Sequence, residues 1–142
     1  MLDLTSIYGL RAMATLASLG PGESLNAAGL AERTGVPQQY LSKVMRKFVL
    51  AKLVRSQRGP GGGFMLMKAP ASIRLDDVLQ AIERRPAGGC AFGYAACDPD
   101  HPCQLHPLWA HLQRSLAEWS NSYTLADLLA APTTKMRPRA AR

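Results

Sequence analysis

Three cysteines and one histidine lie close together in the second half of the chain. Six residues separate Cys90 from Cys97, five separate Cys97 from Cys103, and His106 follows after two more. Thiolates are the usual protein ligands of iron–sulfur clusters and also bind zinc, because soft sulfur suits both. An odd number of cysteines does not favour a framework of disulfides. The spacing therefore predicts a cluster site, a metal site or reactive thiols.

The residue types alone leave the nature of that site open. Three thiolates and one imidazole suit tetrahedral zinc as well as a cluster, and thiols without a metal can respond by oxidation. His106 is the candidate fourth ligand, because it stands three residues after Cys103 at the predicted start of a long helix. His101 is closer to Cys103 in sequence, but it lies between Asp100 and Pro102 and has a less evident anchor.

The basic residues are concentrated in the first half of the chain. Residues 1–70 hold nine Lys or Arg and three Asp or Glu, whereas residues 71–134 hold four and seven. From Lys43 to Lys68 there are seven basic residues and no acidic one. A concentrated positive surface favours a polyanionic partner, since neutralising phosphates releases their counterions. The charge by itself fits a nucleic acid as the partner and fits equally a basic surface that serves only solubility.

Two predicted helices joined by a short turn precede and enter this basic stretch. A helix over residues 5–19, with Thr5 or Ser6 as its cap, comes first, and Asn26 caps a second helix. Only Gly35-Val36-Pro37 separates the second helix from a third, which is typical of a helix-turn-helix.

The third helix, which we expect to run from residue 37 or 38 to about 51, is the candidate for entering a major groove. Side-chain amides can read adenine there, and basic groups can read guanine or hold phosphates. Its candidate DNA-binding residues are Gln38, Gln39, Tyr40, Ser42, Lys43, Arg46 and Lys47. An ordinary amphipathic helix with a polar outer face is the alternative interpretation.

A glycine-rich hairpin follows and supports the DNA-binding interpretation. Residues 53–56 and 64–67 are candidate strands, and residues 57–63 form a basic tip with four glycines. Such a hairpin is the wing of a winged helix, in which Arg58, Gly59 and Gly61 would approach the minor groove or a phosphate. Nucleotide binding is disfavoured, because the segment lacks the GxxxxGK[ST] pattern and precedes a strand.

The remaining segments divide the chain into four predicted regions. Residues 1–84 form the winged helix-turn-helix domain, which ends with a fourth helix over about 75–84. Residues 85–104 form a cysteine sensor loop, residues 105–131 a long helix and a short terminal helix, and residues 132–142 a disordered basic tail. The fold class that follows is mainly α with a small β-hairpin wing.

The long helix carries an apolar stripe that so small a chain can hardly cover by itself. Apolar residues recur at spacings of three and four along it, so we expect two copies of the chain to pair there. The candidate dimerisation residues are Leu108, Leu112, Leu116 and Trp119. Packing of the same stripe against the first helix is the alternative.

Several other classes of protein are disfavoured. No apolar stretch approaches the ~20 residues of a membrane helix, and the first residues lack the pattern of a secretory signal. We therefore expect a cytoplasmic protein without a membrane partner. Paired carboxylates and a nucleophile next to a base are not evident, so an enzyme is not expected.

Five motifs in order along the chain identify a family resemblance. They are residues 4–12, 40–44, 53–64 with the pattern S-x-R-G-x-x-G-G, 73–78 and 123–128, together with the three cysteines. On these residues the chain resembles the Rrf2 family of bacterial winged-helix regulators, in the iron–sulfur branch that includes IscR, NsrR and RirA.

The resemblance implies a homodimeric repressor that binds a pseudo-palindromic operator. It also implies an iron–sulfur cluster, [2Fe–2S] or [4Fe–4S], that senses redox state, iron or nitric oxide. Its ligands would be Cys90, Cys97, Cys103 and His106. A cluster-free winged-helix regulator that responds through thiol oxidation or a partner protein is the alternative.

Overall fold

The computed structural model describes residues 2–82, 90, 98 and 100–131, and these residues form mainly helices with one hairpin. This confirms the predicted fold class. The elements in chain order are α1 (Leu4–Ala17), α2 (Ala27–Thr34), α3 (Gln38–Leu50), β1 (Val54–Gln57), β2 (Gly63–Leu66), α4 (Leu75–Ile82), α5 (His106–Ser122) and α6 (Leu125–Ala130), with a short 3₁₀ turn over Pro70–Ser72 before α4.

The first helix begins earlier than the sequence suggested. Asp3 is its N-cap, and the Asp3 carboxylate accepts a hydrogen bond from the Ser6 backbone N–H at 2.7 Å. The predicted caps Thr5 and Ser6 are wrong, because both residues lie inside α1. The hydrogen bond from the Ser6 backbone N–H, which favours the charged carboxylate, lowers the pKa of Asp3.

The helix-turn-helix forms as predicted. The Asn26 side chain accepts a hydrogen bond from the Gly29 N–H at 2.8 Å and so caps α2. Gly35 ends α2 in the left-handed conformation, with φ 68°, which a residue with a Cβ rarely adopts. The chain can therefore turn sharply into α3.

The core lies beneath α3 and joins every helix of the winged-helix region. Leu41, Val44, Met45 and Phe48, the apolar positions of α3, are all fully buried. They pack with Met13 and Leu16 of α1, with Leu30 of α2 and with the apolar side of α4. Because this apolar side of α3 is buried, the opposite side of the helix faces the solvent.

The hairpin pairs β1 with β2 in an antiparallel register in which Val54 faces Leu66 and Gln57 faces Gly63. A third segment extends it: Leu25, just before α2, exchanges backbone hydrogen bonds with Phe64 at 3.1 and 2.9 Å. The sequence analysis predicted the hairpin but not this third segment. The wing is thus attached by its backbone to the helix-turn-helix.

The C-terminal helices return to the same core. The backbone of residues 73–75 pairs with that of residues 123–125, and Leu125 of α6 is fully buried in the core. Ser120 of α5 donates a hydrogen bond to the Asp76 carboxylate of α4 at 2.9 Å.

The predicted division of the chain into four regions stays a prediction. Most of residues 85–104, the extension of α4 to residue 84 and the whole tail from residue 132 lie outside the described residues. Within the described part of the chain, no helix has both the length and the apolar character that crossing a membrane requires.

Candidate DNA-binding surface and cysteine segment

The candidate DNA-binding residues of α3 lie on its solvent-exposed side. All seven are exposed, while the four apolar residues between them are buried. The helical period produces this separation, because residues three and four apart share a face. α3 therefore presents a continuous polar and basic surface.

Two of these residues have polar partners near the start of α3. The Tyr40 ring packs edge-on against Tyr8 of α1, with ring centroids 5.3 Å apart, and its hydroxyl lies 2.9 Å from Thr5 Oγ1. Ser42 Oγ donates a hydrogen bond to the Gln38 carbonyl at 3.0 Å. Tyr40 thus ties the start of α3 to α1, whereas no such contact is found for Gln38 and Gln39 side chains among the described residues.

The basic residues of this surface fall into two groups. Lys43, Arg46 and Arg58 make no ion pair with a carboxylate among the described residues. Lys47 differs, because its Nζ donates a hydrogen bond to the Ile82 carbonyl at the end of α4, at 2.8 Å. Three cations are therefore available to a polyanion, and the fourth has a partner within the protein.

The wing tip carries Arg58 in a defined backbone conformation. Gly59 and Gly61 have φ values of 97° and 73°, which favour glycine, and a Cβ at Gly62 would overlap the Gln57 carbonyl. The Gly62 N–H donates to the Gly59 carbonyl at 2.9 Å, and Ser24 Oγ donates to the Gly61 carbonyl at 3.0 Å.

Sequence reasoning missed the role of Ser24 and Leu25 in holding the wing. No periodic pattern marks a strand of one or two residues, and the signal available was only an apolar residue directly before the Asn26 cap.

The structure places Cys103 and His106 together and describes part of the remaining cysteine site. His106 begins α5, and its backbone N–H donates to the Cys103 carbonyl at 3.0 Å. Cys90 and Cys103 are half-buried, and Cys97 lies outside the described residues. Among the residues that are described, no three His, Cys, Asp or Glu side chains gather closely enough to hold a metal ion.

His101, the other histidine beside the cysteines, has an acidic partner at the surface. Its Nδ1 lies 3.0 Å from Asp98 Oδ2, and both side chains are exposed. The Asp100 backbone N–H also donates to Asp98, at 2.9 Å, and this bond is the main cause of the lowered pKa of the Asp98 carboxyl. His101 is therefore held by a local turn.

The apolar stripe of α5 is largely exposed in a single chain. The exposed fractions are 70% for Leu108, 51% for Leu112 and 38% for Trp119, while Leu116 is partly covered. α5 packs against α4 through its other end, around Ser120. Packing of the stripe against the first helix, the alternative raised from the sequence, does not cover these three residues.

A helix-turn-helix with an exposed basic second helix, followed by a hairpin attached to its side, defines a winged-helix DNA-binding regulator. The model of the Rrf2 family, described as an iron-dependent transcriptional regulator, matches residues 2–131. The chain therefore belongs to the Rrf2 family of transcriptional regulators.

Individual relatives agree with this assignment. The chain is 32% identical over 123 residues to ORF2 of Azotobacter vinelandii, a helix-turn-helix-type transcriptional regulator. The alignment covers 87% of this chain and 75% of the relative. It is 30% identical over 122 residues to IscR of Escherichia coli, with 86% and 75% covered.

Solved structures agree as well. T. potens IscR superposes with a TM-score of 0.75 at 28% identity, over 92% of this chain and 86% of the other. CymR of B. subtilis, a global cysteine regulator, gives a TM-score of 0.78 at 23% identity, over 94% and 98%, and shows the shared fold. These relatives are regulators of transcription rather than enzymes.

Proposed function

We propose that the protein is a homodimeric cytoplasmic repressor that binds a pseudo-palindromic operator and whose binding is controlled by an iron–sulfur cluster. The observation that carries the DNA-binding part is the exposed polar and basic side of α3, whose cations Lys43 and Arg46 have no acidic partner among the described residues.

In the proposed complex α3 lies in the major groove and the wing lies beside it. The amides of Gln38 and Gln39, at the first turn of α3, contact base edges, and an amide is suited to adenine. Lys43 and Arg46 contact phosphates or guanine, and Arg58 enters the minor groove or holds a phosphate. Glycines at the tip let the wing backbone approach the DNA closely.

The dimer forms through the exposed stripe of α5. Three large apolar side chains with a third or more of their surface in water favour a protein partner, since burying them is stabilising. Two copies related by a twofold axis would place two α3 helices on half-sites about one helical turn apart.

DNA binding is tested in two steps. The protein first selects a duplex from a random double-stranded DNA library, and it is then titrated with the selected duplex at several salt concentrations. We expect Arg46→Ala to weaken binding and to lower the slope of log K against log salt by about 2, because each of the two subunits loses one phosphate contact. Arg11→Ala, which removes an exposed arginine of α1 outside the proposed surface, is the control and keeps the slope. An unchanged slope in Arg46→Ala argues against the proposed orientation.

The ligands of the cluster are Cys90, Cys97, Cys103 and His106. The donor set suits the group, because three thiolates are soft ligands for iron and an imidazole can complete the set. The turn that precedes α5 brings the backbone of His106 next to that of Cys103, and the family model is described as iron-dependent. When bound, the cluster would supply a redox-active group that oxidants, iron supply or nitric oxide can alter.

Anaerobic reconstitution with iron and sulfide, read by visible absorbance and Mössbauer spectroscopy, tests the cluster. We expect a coloured protein whose affinity for the selected duplex differs from that of the metal-free protein. The triple variant with Cys90→Ala, Cys97→Ala and Cys103→Ala is expected to stay colourless and to lose that difference.

His106 and His101 form a matched pair for the fourth ligand. His106→Ala is expected to shift the spectrum or to shorten the lifetime of the cluster, whereas His101→Ala, whose ring is paired with Asp98, leaves both unchanged. A colourless protein that binds one zinc ion would show that the site holds zinc instead of a cluster. A colourless protein whose DNA binding responds only to thiol oxidation would show that the thiols act without a metal.

A further inference from the structure

Lys47 is set apart from the other basic residues of α3 by its contact with α4. Its Nζ donates a hydrogen bond to the Ile82 backbone carbonyl at 2.8 Å. Lys43 lies one helical turn before Lys47, and Arg46 is the residue directly before it. Neither makes such a contact with another element among the described residues. The sequence alone placed all three among the DNA-binding residues.

The carbonyl that Lys47 contacts belongs to Ile82, in the last described turn of α4. A carbonyl oxygen has two lone pairs, so it can accept a side-chain donor in addition to a backbone one. A lysine ammonium is a favourable donor, since a hydrogen bond from a charged group is stronger than one from a neutral group.

The end of α4 is also fixed by its side-chain packing. The Ile82 side chain is buried against α1 at Gly9, where a Cβ would overlap Ile82 Cδ1 and would lie 3.1 Å from Phe48 Cζ of α3. α1, α3 and α4 therefore meet at this point, and Lys47 spans it at the surface.

The start of α1 contributes to the same surroundings. The charge of Lys47 contributes to the lowered pKa of Asp3, the N-cap of α1, after the larger contribution of the hydrogen bonds from Ser6. The direct partner of the Lys47 ammonium is the Ile82 carbonyl.

We propose that Lys47 is a positioning residue, which sets the orientation of α3 on DNA by holding the end of α4, and that it does not contact a phosphate. The proposal rests on the DNA binding by α3 proposed above. The contact with Ile82 holds the Lys47 ammonium beside α4, whereas Lys43 and Arg46 provide cations without such a contact.

Salt titrations of three variants on the selected duplex test this role. Lys47→Met keeps an unbranched apolar stem and removes the ammonium. We expect about a three- to tenfold loss of affinity with an unchanged salt slope, since no counterion release is lost. Lys47→Arg, which keeps a cationic donor, is expected to restore most of the affinity. Lys43→Met is the comparison, and we expect its slope to fall by about 2, because both subunits lose one phosphate contact.

A second measurement on the unsubstituted protein avoids any effect of the variants on folding. The rates of lysine acetylation, followed by mass spectrometry, are compared with and without the selected duplex. We expect DNA to protect Lys43 strongly, whereas the acetylation rate of Lys47 is similar in both samples, because its nitrogen is held at the Ile82 carbonyl in both.

The outcomes separate the two proposals. If the unsubstituted protein selects no duplex, the proposed function fails and this inference fails with it. If the protein binds DNA, three results would overturn only the positioning role. They are a Lys47→Met variant whose salt slope falls as that of Lys43→Met does, a Lys47→Met variant with full affinity, and protection of Lys47 by DNA equal to that of Lys43.

Discussion

α3 and α5 carry the same kind of apolar pattern and differ in what covers it. In both helices large apolar residues recur at spacings of three and four. In α3 the four residues of the stripe are completely buried by α1, α2 and α4. In α5 Leu108, Leu112 and Trp119 are exposed, and the buried residue is the polar Ser120.

The two helices differ in something that an amphipathic pattern does not contain. The period identifies the apolar side of a helix, but it does not identify the partner of that side. For α3 the partner lies within the same chain, which leaves the polar side for DNA. For α5 the described part of the chain provides no partner along most of the stripe, and a second copy is the partner that we propose.

The largest expected effect tests the covered helix. Phe48→Ala should lower the free energy of unfolding by about 3–5 kcal/mol, because it leaves a cavity among α1, α3 and α4. Leu50→Ala is the matched change in the same helix, where Leu50 is 75% exposed, and should alter stability by less than ~0.5 kcal/mol. Urea unfolding followed by circular dichroism measures both. Similar losses in the two variants would contradict the burial described for α3.

The next effect tests the uncovered helix. Leu112→Asp should weaken self-association about 100-fold or more, because a carboxylate would be buried without a partner in the dimer, and each tenfold step is about 1.4 kcal/mol. Asn121→Asp adds the same charge on the other side of α5 and should leave the dimer intact. Sedimentation equilibrium measures the dimer, with circular dichroism as the check that α5 remains helical. A dimer that survives Leu112→Asp would place the interface elsewhere.

The smallest effect tests the contact that joins α5 to α4. Ser120→Ala removes the hydrogen bond to Asp76 that ties α5 to α4, and should cost about 1 kcal/mol of stability. Ser122→Ala is the control, because Ser122 is exposed and donates only within α5, to the Glu118 carbonyl. Equal unfolding midpoints for Ser120→Ala and the unsubstituted protein would show that this hydrogen bond does not stabilise the packing of α5 on α4.

Much of the fold could be predicted, because most of its elements have strong local signals. The Asn26 cap and the Gly35 turn mark the helix-turn-helix, and the glycines of residues 57–63 mark the hairpin. The cap of α1 was predicted at Thr5 or Ser6 because both residues are good caps, but Asp3 two residues earlier accepts the bond from Ser6. Neighbouring polar residues compete for such a role, and the sequence does not decide between them.

The candidate sites could be predicted in part. The exposed side of α3 follows from helical spacing, and the adjacency of Cys103 and His106 follows from their separation of only three residues in the sequence. Lys47 shows the limit, since its spacing is that of the other basic residues and its partner is a carbonyl 35 residues away. The attachment of the wing through Ser24 and Leu25 is likewise a long-range contact, which local patterns do not encode.

The sequence by itself determined the family, the helix-turn-helix with its wing, and the residue types available for DNA and for a cluster. Short-range physics is enough for these, because helix caps, glycine turns and hydrophobic period act between residues that are close along the chain. Only the tertiary structure decided which cations are available, which apolar stripe is covered and where the last helix returns to the core at Leu125. Those outcomes depend on contacts between distant segments, whose geometry is settled when the helices pack.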